Sequence, residues 1–140
     1  MISLISRILC LSYRTQTCNM DLKIKRVYEK PSKEDGFRIL VDRLWPRGLT
    51  KEKASVDLWL KEIAPSTMLR KWFGHDPVKW NEFRKRYLLE LDQNKEQVIL
   101  LNEHLKNGTV TLLYGTKDEE HNEAVVLRDF FGSAFIKVIV

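Results

Sequence analysis

Two short apolar segments, with long helical patterns between them, constrain the fold of this chain most. Residues 37–44 read as a strand that is apolar on both faces in its middle, as a central strand is. Residues 109–114, T-V-T-L-L-Y, read as a further strand. Because a helical crossover is how parallel neighbours are joined, we expect these two strands to be parallel, with their carboxyl ends together.

The other elements alternate in the same way. Leu22, Ile24 and Val27 indicate a first strand before a turn-rich loop at residues 30–36. Start and stop signals predict a helix at 58–63 after Asp57 and a second helix between Ser66 and Gly74. A third helix is predicted after Pro77, where Trp80, Phe83, Tyr87 and Leu91 form an apolar stripe. The last two are predicted between Asn94 and Gly108, and through 125–131 up to Gly132. Residues 134–140 are predicted as a last strand. The fold class is α/β: a single small domain, residues 20–140, with a mainly parallel β-sheet flanked by α-helices.

The first 19 residues differ from the rest. Both cysteines, Cys10 and Cys18, lie there, and Arg7 interrupts a short apolar stretch that no A-x-A-like cleavage site follows. A signal peptide is therefore the less favoured reading, and no run of about 18 apolar residues would span a membrane. We expect Met20 to be the true or sufficient start and residues 1–19 to be a leader, disordered or non-native. A domain without cysteine fits a cytoplasmic location.

Composition favours an anionic partner. The chain has 140 residues, 44% hydrophobic and 31% charged, as in one ordinary globular domain, and its formal net charge is +5. A basic surface raises the local concentration of phosphates and nucleic acids. The basic run at residues 84–86 lies largely opposite the apolar stripe of its helix, where such a run is usually a solvated face. The predicted partner is a phosphate-bearing small molecule or a nucleic acid, with no membrane partner.

Polar and aromatic side chains cluster where the two predicted parallel strands end, which is where ligands sit in open α/β sheets. Arginine suits an anion site because its guanidinium makes bidentate hydrogen bonds, and the last helix would add its N-terminal N–H groups. In the alternative reading, Arg43 pairs with Asp118 or Glu119 and braces the loops. The candidate ligand-binding residues are Asp42, Arg43, Trp45, Arg47, Tyr114, Lys117 and Asn122.

No catalytic residue is assigned, but two are candidates. His121 beside Asp118 would be a general base with an orienting carboxylate, although a histidine that caps or packs at a helix start is the favoured reading. His75, between a helix stop and a helix start, is read as structural. Metal-ligand spacings, phosphate-binding glycine loops and a nucleophile elbow do not occur, so neither a metal nor a cofactor is expected.

Five motifs together resemble a known family. They are V-D-R-L-W-P-R-G at 41–48, A-P-S at 64–66, W-F-G-H-D-P at 72–77, F-R-x-R-Y at 83–87 and K-D-E-E-H-N at 117–122. They closely resemble the YeaO-like branch of the domain-of-unknown-function 488 family, over residues 20 to about 131. The resemblance implies a small bacterial or archaeal-type cytoplasmic α/β protein without an established biochemical role. Wider members carry cysteine, histidine and arginine where this chain has Asn122, Glu123 and Ala124, so a cysteine-based mechanism does not carry over.

Three hypotheses for function remain open from the sequence. The preferred one is binding of an anionic, phosphate-bearing ligand, a nucleotide or nucleic acid, with Trp45 or Tyr114 stacking on a ring. The alternative is a metal-independent hydrolase-type enzyme that uses the Asp118 and His121 region, with Arg43 stabilising negative charge. The third is a protein-interaction module built on the aromatic helix. The sequence does not settle whether the protein is an enzyme, nor its oligomeric state or sheet order.

Overall fold

A single parallel sheet organises the molecule. The computed structural model describes residues 21–139, with side chains as far as Gly132. The sheet has four strands in the order β1-β4-β2-β3, and every neighbouring pair is parallel. The strands are β1 (Leu22–Arg26), β2 (Phe37–Leu40), β3 (Leu58–Trp59) and β4 (Val110–Tyr114). The predicted α/β class is confirmed, and so is the parallel pairing of the two apolar segments.

The register of β2 and β4 brings their carboxyl ends level. Leu40 pairs with Leu113, and the N–H of Val41 donates to the carbonyl of Leu113 at 3.1 Å. All five residues of β4 are buried. The residues that follow, from Asp42 on one strand and from Gly115 on the other, therefore leave the sheet side by side.

Five helices cover the sheet in the described part of the chain. They are α1 (Lys51–Ala54), α2 (Thr67–Phe73), α3 (Trp80–Gln93), α4 (Lys95–Lys106) and α5 (Glu123–Ile139). Single turns of 3-10 helix lie at 33–35, 61–63 and 77–79. The predicted bounds of α2 are confirmed: Ser66 Oγ accepts the N–H of Leu69 at 3.1 Å, and Gly74 ends the helix in the left-handed region, with φ of 55°.

The core has two parts, one on each face of the sheet. The larger packs α2 to α5 against side chains such as Ile39 and Leu112, and it buries the predicted stripe residues Phe83, Tyr87 and Leu91. The smaller groups Val27, Leu40, Ala54, Val56 and Leu113, with Trp45 and Leu49 packed against them. The aromatic helix thus uses its stripe to build the domain's own core.

Two predicted elements are wrong. The strand predicted at 134–140 is a continuation of α5 as far as Ile139, and Gly132 does not end that helix. An interior glycine costs a helix only about 1 kcal/mol, which the rest of a long helix outweighs. The helix predicted at 58–63 is instead the short strand β3 followed by one 3-10 turn. Its expected cap, Asp57, accepts the N–H of Arg38 on β2 at 2.9 Å.

Two boundaries also differ from expectation. The strand predicted to reach residue 44 ends at Leu40, and the N–H of Val41 makes one further hydrogen bond to β4. Asn94 precedes α4 without capping it; its Nδ2 donates instead to the carbonyl of Glu62 at 2.7 Å. The predictions for the leader concern residues outside the described range. None of the described helices is long and apolar enough to cross a membrane.

Candidate functional site

A cavity of about 190 Å³ opens at the carboxyl ends of β2 and β4. We call it the β2–β4 cavity. Part of its lining is apolar and comes from Ala64, Pro65, Phe73 and Phe83. Its polar lining comes from the loop after β2, from α2 and the turn after it, and from the start of α5. The position agrees with the sequence-based prediction of a site where these two strands end.

Asp42 is the first polar side chain after β2, and it is enclosed. A Cβ atom added to Gly115 would lie 2.9 Å from Asp42 Oδ2, so the glycine lets the two loops meet. Burial raises the pKa of Asp42 to about 7, against the opposing effects of a hydrogen bond from the Gly115 backbone and the charge of Arg70. Asp42 therefore changes protonation near neutral pH, and its carboxyl group can either accept or donate a hydrogen bond.

Arg70, on α2, supplies a cation that the sequence analysis did not single out. Its guanidinium makes no hydrogen bond or ion pair with any residue the structure describes, and its Nε is buried. The carboxylate of Glu90 holds the start of α2 by accepting the N–H and the hydroxyl of Ser66, at 2.8 and 2.6 Å. The only sequence signal for Arg70 is its place between the buried residues Leu69 and Phe73. An ionised donor left without a partner is costly, and an anion in the cavity would supply the acceptor.

Arg43 also lines the cavity, but it is engaged with the protein through two hydrogen bonds and an ion pair. Its Nε donates to the carbonyl of Pro65 at 3.0 Å and its Nη2 to the carbonyl of Ala64 at 3.1 Å. Its Nη1 lies 3.9 Å from Glu62 Oε2. Arg43 thus braces the segment before α2, as the alternative reading expected, although its partners are these carbonyls and Glu62 rather than Asp118 or Glu119.

His121 and Asp118 form a hydrogen-bonded pair at the start of α5. His121 Nδ1 lies 2.9 Å from Asp118 Oδ2, and the His121 N–H donates to Asp118 Oδ1 at 3.0 Å. Burial acts to raise the pKa of Asp118, but hydrogen bonds from the Glu120 backbone and from His121 outweigh it and lower the pKa. The His121 ring lines the cavity and meets Trp80 edge-on, with ring centroids 5.2 Å apart.

Asn122 is buried at the wall of the cavity, and it acts as a helix cap. Its Oδ1 accepts the N–H of Val125 at 3.0 Å, and its Nδ2 donates to the carbonyl of Asp118 at 2.9 Å. Both ends of the amide are therefore engaged with the backbone. The side chain fixes the start of α5 and keeps little capacity for a ligand.

The remaining predicted ligand-binding residues are not among those that line the β2–β4 cavity. Trp45 belongs to the smaller core cluster, where its Nε1 donates to the carbonyl of Leu49 at 2.7 Å. Arg47 is exposed, and its carbonyl accepts the hydroxyl of Tyr28 at 2.8 Å. Tyr114 is 3% exposed, and Lys117 points to solvent.

His75 lines the cavity in an unusual backbone conformation. Its φ is 57°, directly after Gly74 with φ of 55°. A positive φ at a residue other than glycine stores strain, and such strain is concentrated at binding and catalytic sites. Its ring centroid lies 6.2 Å from that of Phe73, so the imidazole shares a wall with the apolar lining.

A metal centre has no basis in this part of the molecule. Among the described residues, no group of three or more His, Cys, Asp or Glu side chains could hold a metal ion. The ionisable side chains that line the cavity are Asp42, Arg43, Arg70, His75, His121 and Glu123.

Comparison with known proteins identifies relatives over nearly the whole described range. Residues 21–138 match the family model DUF488-N3i, described as the inactive DUF488-N3 subclade. The chain is 46% identical over 114 residues to the uncharacterised protein YeaO of Escherichia coli K12, covering 81% of this chain and 99% of that protein. It is 37% identical over 106 residues to the uncharacterised protein Rv3073c of Mycobacterium tuberculosis H37Rv, covering 76% and 89%.

No solved structure matches the chain significantly. The resemblance to the YeaO-like branch, first seen in five short motifs, is confirmed by these matches. With a family model spanning residues 21–138, the chain belongs to the DUF488-N3i family, the inactive subclade of DUF488-N3.

Proposed function

We propose that this protein binds a small anionic ligand in the β2–β4 cavity and holds its charge with Arg70. The observation that carries the proposal is the guanidinium of Arg70, which lines a partly open cavity and makes no hydrogen bond with the described residues. Hydrogen bonds to charged groups contribute about 1.5–3 kcal/mol. An anion that reached this guanidinium would gain that binding free energy from hydrogen bonds that Arg70 does not make within the protein. The cytoplasmic location expected from the sequence is part of the proposal.

The size of the cavity limits what the anion is attached to. Pockets that enclose drug-sized ligands measure about 300–1,000 Å³, whereas this one measures about 190 Å³. A small molecule fits within it, and a nucleotide would insert only its phosphate end. A nucleic-acid strand would contact the outside of the domain rather than this cavity.

Heteronuclear NMR titration tests the proposal at a single residue. The probes are inorganic phosphate, acetate, benzoate and adenosine monophosphate at constant ionic strength, and the signal is the side-chain Nε–H of Arg70. We expect at least one probe to shift this signal in a saturable way. Replacing Arg70 by Met keeps an apolar stem and removes the charge, so it should weaken that binding by about tenfold to a hundredfold.

Lys71→Met is the matched control. Lys71 is the next residue of α2, it is exposed, and its loss changes the net charge by the same amount. Binding that is weakened equally in both variants would reflect general attraction to a basic surface and would contradict a site at Arg70. Wild-type affinity in Arg70→Met would refute the proposal outright.

Catalysis is the second candidate, and the His121–Asp118 pair favours it. An imidazole that donates Nδ1–H to a carboxylate presents its Nε2 as a base, and this ring lines the cavity. A hydrolase-type activity would then use Asp118 to orient His121. The description of the family as an inactive subclade places this candidate behind binding. Turnover of a panel of phosphoesters and carboxylic esters that disappears in His121→Ala would reverse that order.

A further inference from the structure

We infer that the ligand of the β2–β4 cavity is a small monocarboxylate with an apolar body, rather than a phosphate. The inference rests on the proposed anion site and narrows the chemistry of its ligand. Three properties of the lining lead to it: the balance of charge, the apolar walls and the volume.

The balance of charge favours a single negative charge. Among the lining residues, Asp42 and Glu123 carry carboxyl groups, and the positive charge of Arg43 is already engaged with carbonyls and Glu62. His121 is paired with Asp118. Of the two arginines of the lining, Arg70 is the one whose guanidinium makes no hydrogen bond with a described residue, and its buried Nε has no acceptor. A phosphomonoester brings about −1.5 to −2 charges at neutral pH and three acceptor oxygens, which this lining does not match.

The planar guanidinium of Arg70 suits a carboxylate. An arginine fork donates two parallel hydrogen bonds to the two oxygens of one carboxylate. The amide of Asn122, which would otherwise add a donor, already caps α5 and holds the carbonyl of Asp118. A monocarboxylate therefore meets the donors that the cavity offers without bringing acceptors that would stay unpaired.

The walls require an apolar body on the ligand. Phe73 and Phe83 stack with ring centroids 4.2 Å apart, and Ala64 and Pro65 complete the apolar lining. Burying each methylene group of a ligand contributes about 0.8 kcal/mol to the binding free energy, and an inorganic anion has no methylene group to bury. The volume of about 190 Å³ equals the share of roughly six water molecules at about 30 Å³ each. That is room for a short aliphatic or single-ring acid.

A titration series at constant ionic strength tests the inference, with acetate, butyrate, benzoate, inorganic phosphate and phenyl phosphate as probes and the Arg70 Nε–H signal as readout. Two additional methylenes should make butyrate bind about fifteenfold more tightly than acetate. Benzoate should bind more tightly than phenyl phosphate, which presents the same ring with a larger charge. Equal affinity for acetate and butyrate, or tighter binding of either phosphate than of benzoate, would overturn the inference.

A variant at the rim separates the apolar contribution from the charge. Leu44 lines the cavity and is 60% exposed, so Leu44→Asn should leave folding nearly unchanged. It should weaken benzoate while leaving acetate as in the wild type, and equal losses for both acids would count against an apolar contact. The two proposals can be refuted separately. If phosphate binds through Arg70 and no carboxylate does, only the proposed ligand class is wrong. If no probe binds at Arg70, the anion site itself is wrong.

Discussion

Replacing Asp42 by Asn should stabilise the protein at alkaline pH and have little effect at acidic pH. Asp42 is enclosed by the two loops, and burial raises its pKa from 3.8 to about 7. The folded protein therefore holds a proton on Asp42 that the unfolded chain releases. Asparagine has the same shape, keeps an oxygen to accept the Gly115 N–H and never ionises. The variant thus removes the cost of burying the charge.

The size of the effect follows from proton linkage. A rise of this extent in the pKa corresponds to about 4 kcal/mol between the limits of low and high pH. Since the folded state binds the additional proton, its stability is greatest below the unfolded pKa and falls as the pH rises through the folded pKa. About 2.5 kcal/mol of that loss falls between about pH 5 and about pH 8. The pKa values of Asp35 and Asp118 are lowered, so their contributions to the free energy of unfolding change at a pH below this range.

Urea denaturation of wild type and Asp42→Asn at the two pH values measures the difference directly. The advantage of the variant should grow by about 2.5 kcal/mol from about pH 5 to about pH 8. Asp92→Asn is the control, because Asp92 is an exposed carboxylate on α3 outside the cavity lining. A difference between wild type and Asp42→Asn that stays constant with pH would refute the buried-carboxylate reasoning.

Two further predictions concern stability. Gly36 has φ of 65°, and a Cβ there would meet Thr109 O at 2.3 Å, whereas Gly48 has φ of 78° and open space around it. In urea denaturation, Gly48→Ala should therefore lower the free energy of unfolding by about 1–3 kcal/mol through backbone strain. Gly36→Ala should lower it clearly more, and equal losses in the two variants would contradict the clash. Asp35→Asn leaves the buried Arg38 without its ion-pair partner and should cost about 3–5 kcal/mol. A thermal melting temperature equal to that of wild type would show that this pair contributes nothing.

Much of the fold could be read from the sequence because its central elements carry long, consistent signals. The apolar segments that became β2 and β4, and the stripe of Phe83, Tyr87 and Leu91 on α3, each repeat one pattern over several residues. The two-residue strand β3 carries no such pattern and exists because β2 offers it a parallel partner. The end of α5 was predicted wrongly. Gly132 and the β-branched residues after it favour a helix end followed by a strand, but the helix continues to Ile139.

The site was half predictable for a similar reason. Asp42, Arg43 and His121 were found because they follow strands whose carboxyl ends had to meet. Arg70 was not, because it sits within a helix, and only the tertiary packing of α2 brings it to the cavity. The sequence likewise could not show that Trp45 packs against Trp59, with ring centroids 5.3 Å apart, on the other face of the sheet.

Two arginines in one cavity lining show how a structural cation differs from one that is left for a ligand. Arg43 donates two hydrogen bonds to backbone carbonyls and lies near Glu62, as a structural arginine does. Arg70 makes no such hydrogen bond, although the carboxyl group of Asp42 is close enough to respond to its charge. Folding alone would favour pairing the two, so the cost of leaving Arg70 without a hydrogen-bond acceptor supports the proposed binding role. Binding an anion at Arg70 requires no catalysis, so the proposed site is compatible with a family described as an inactive subclade.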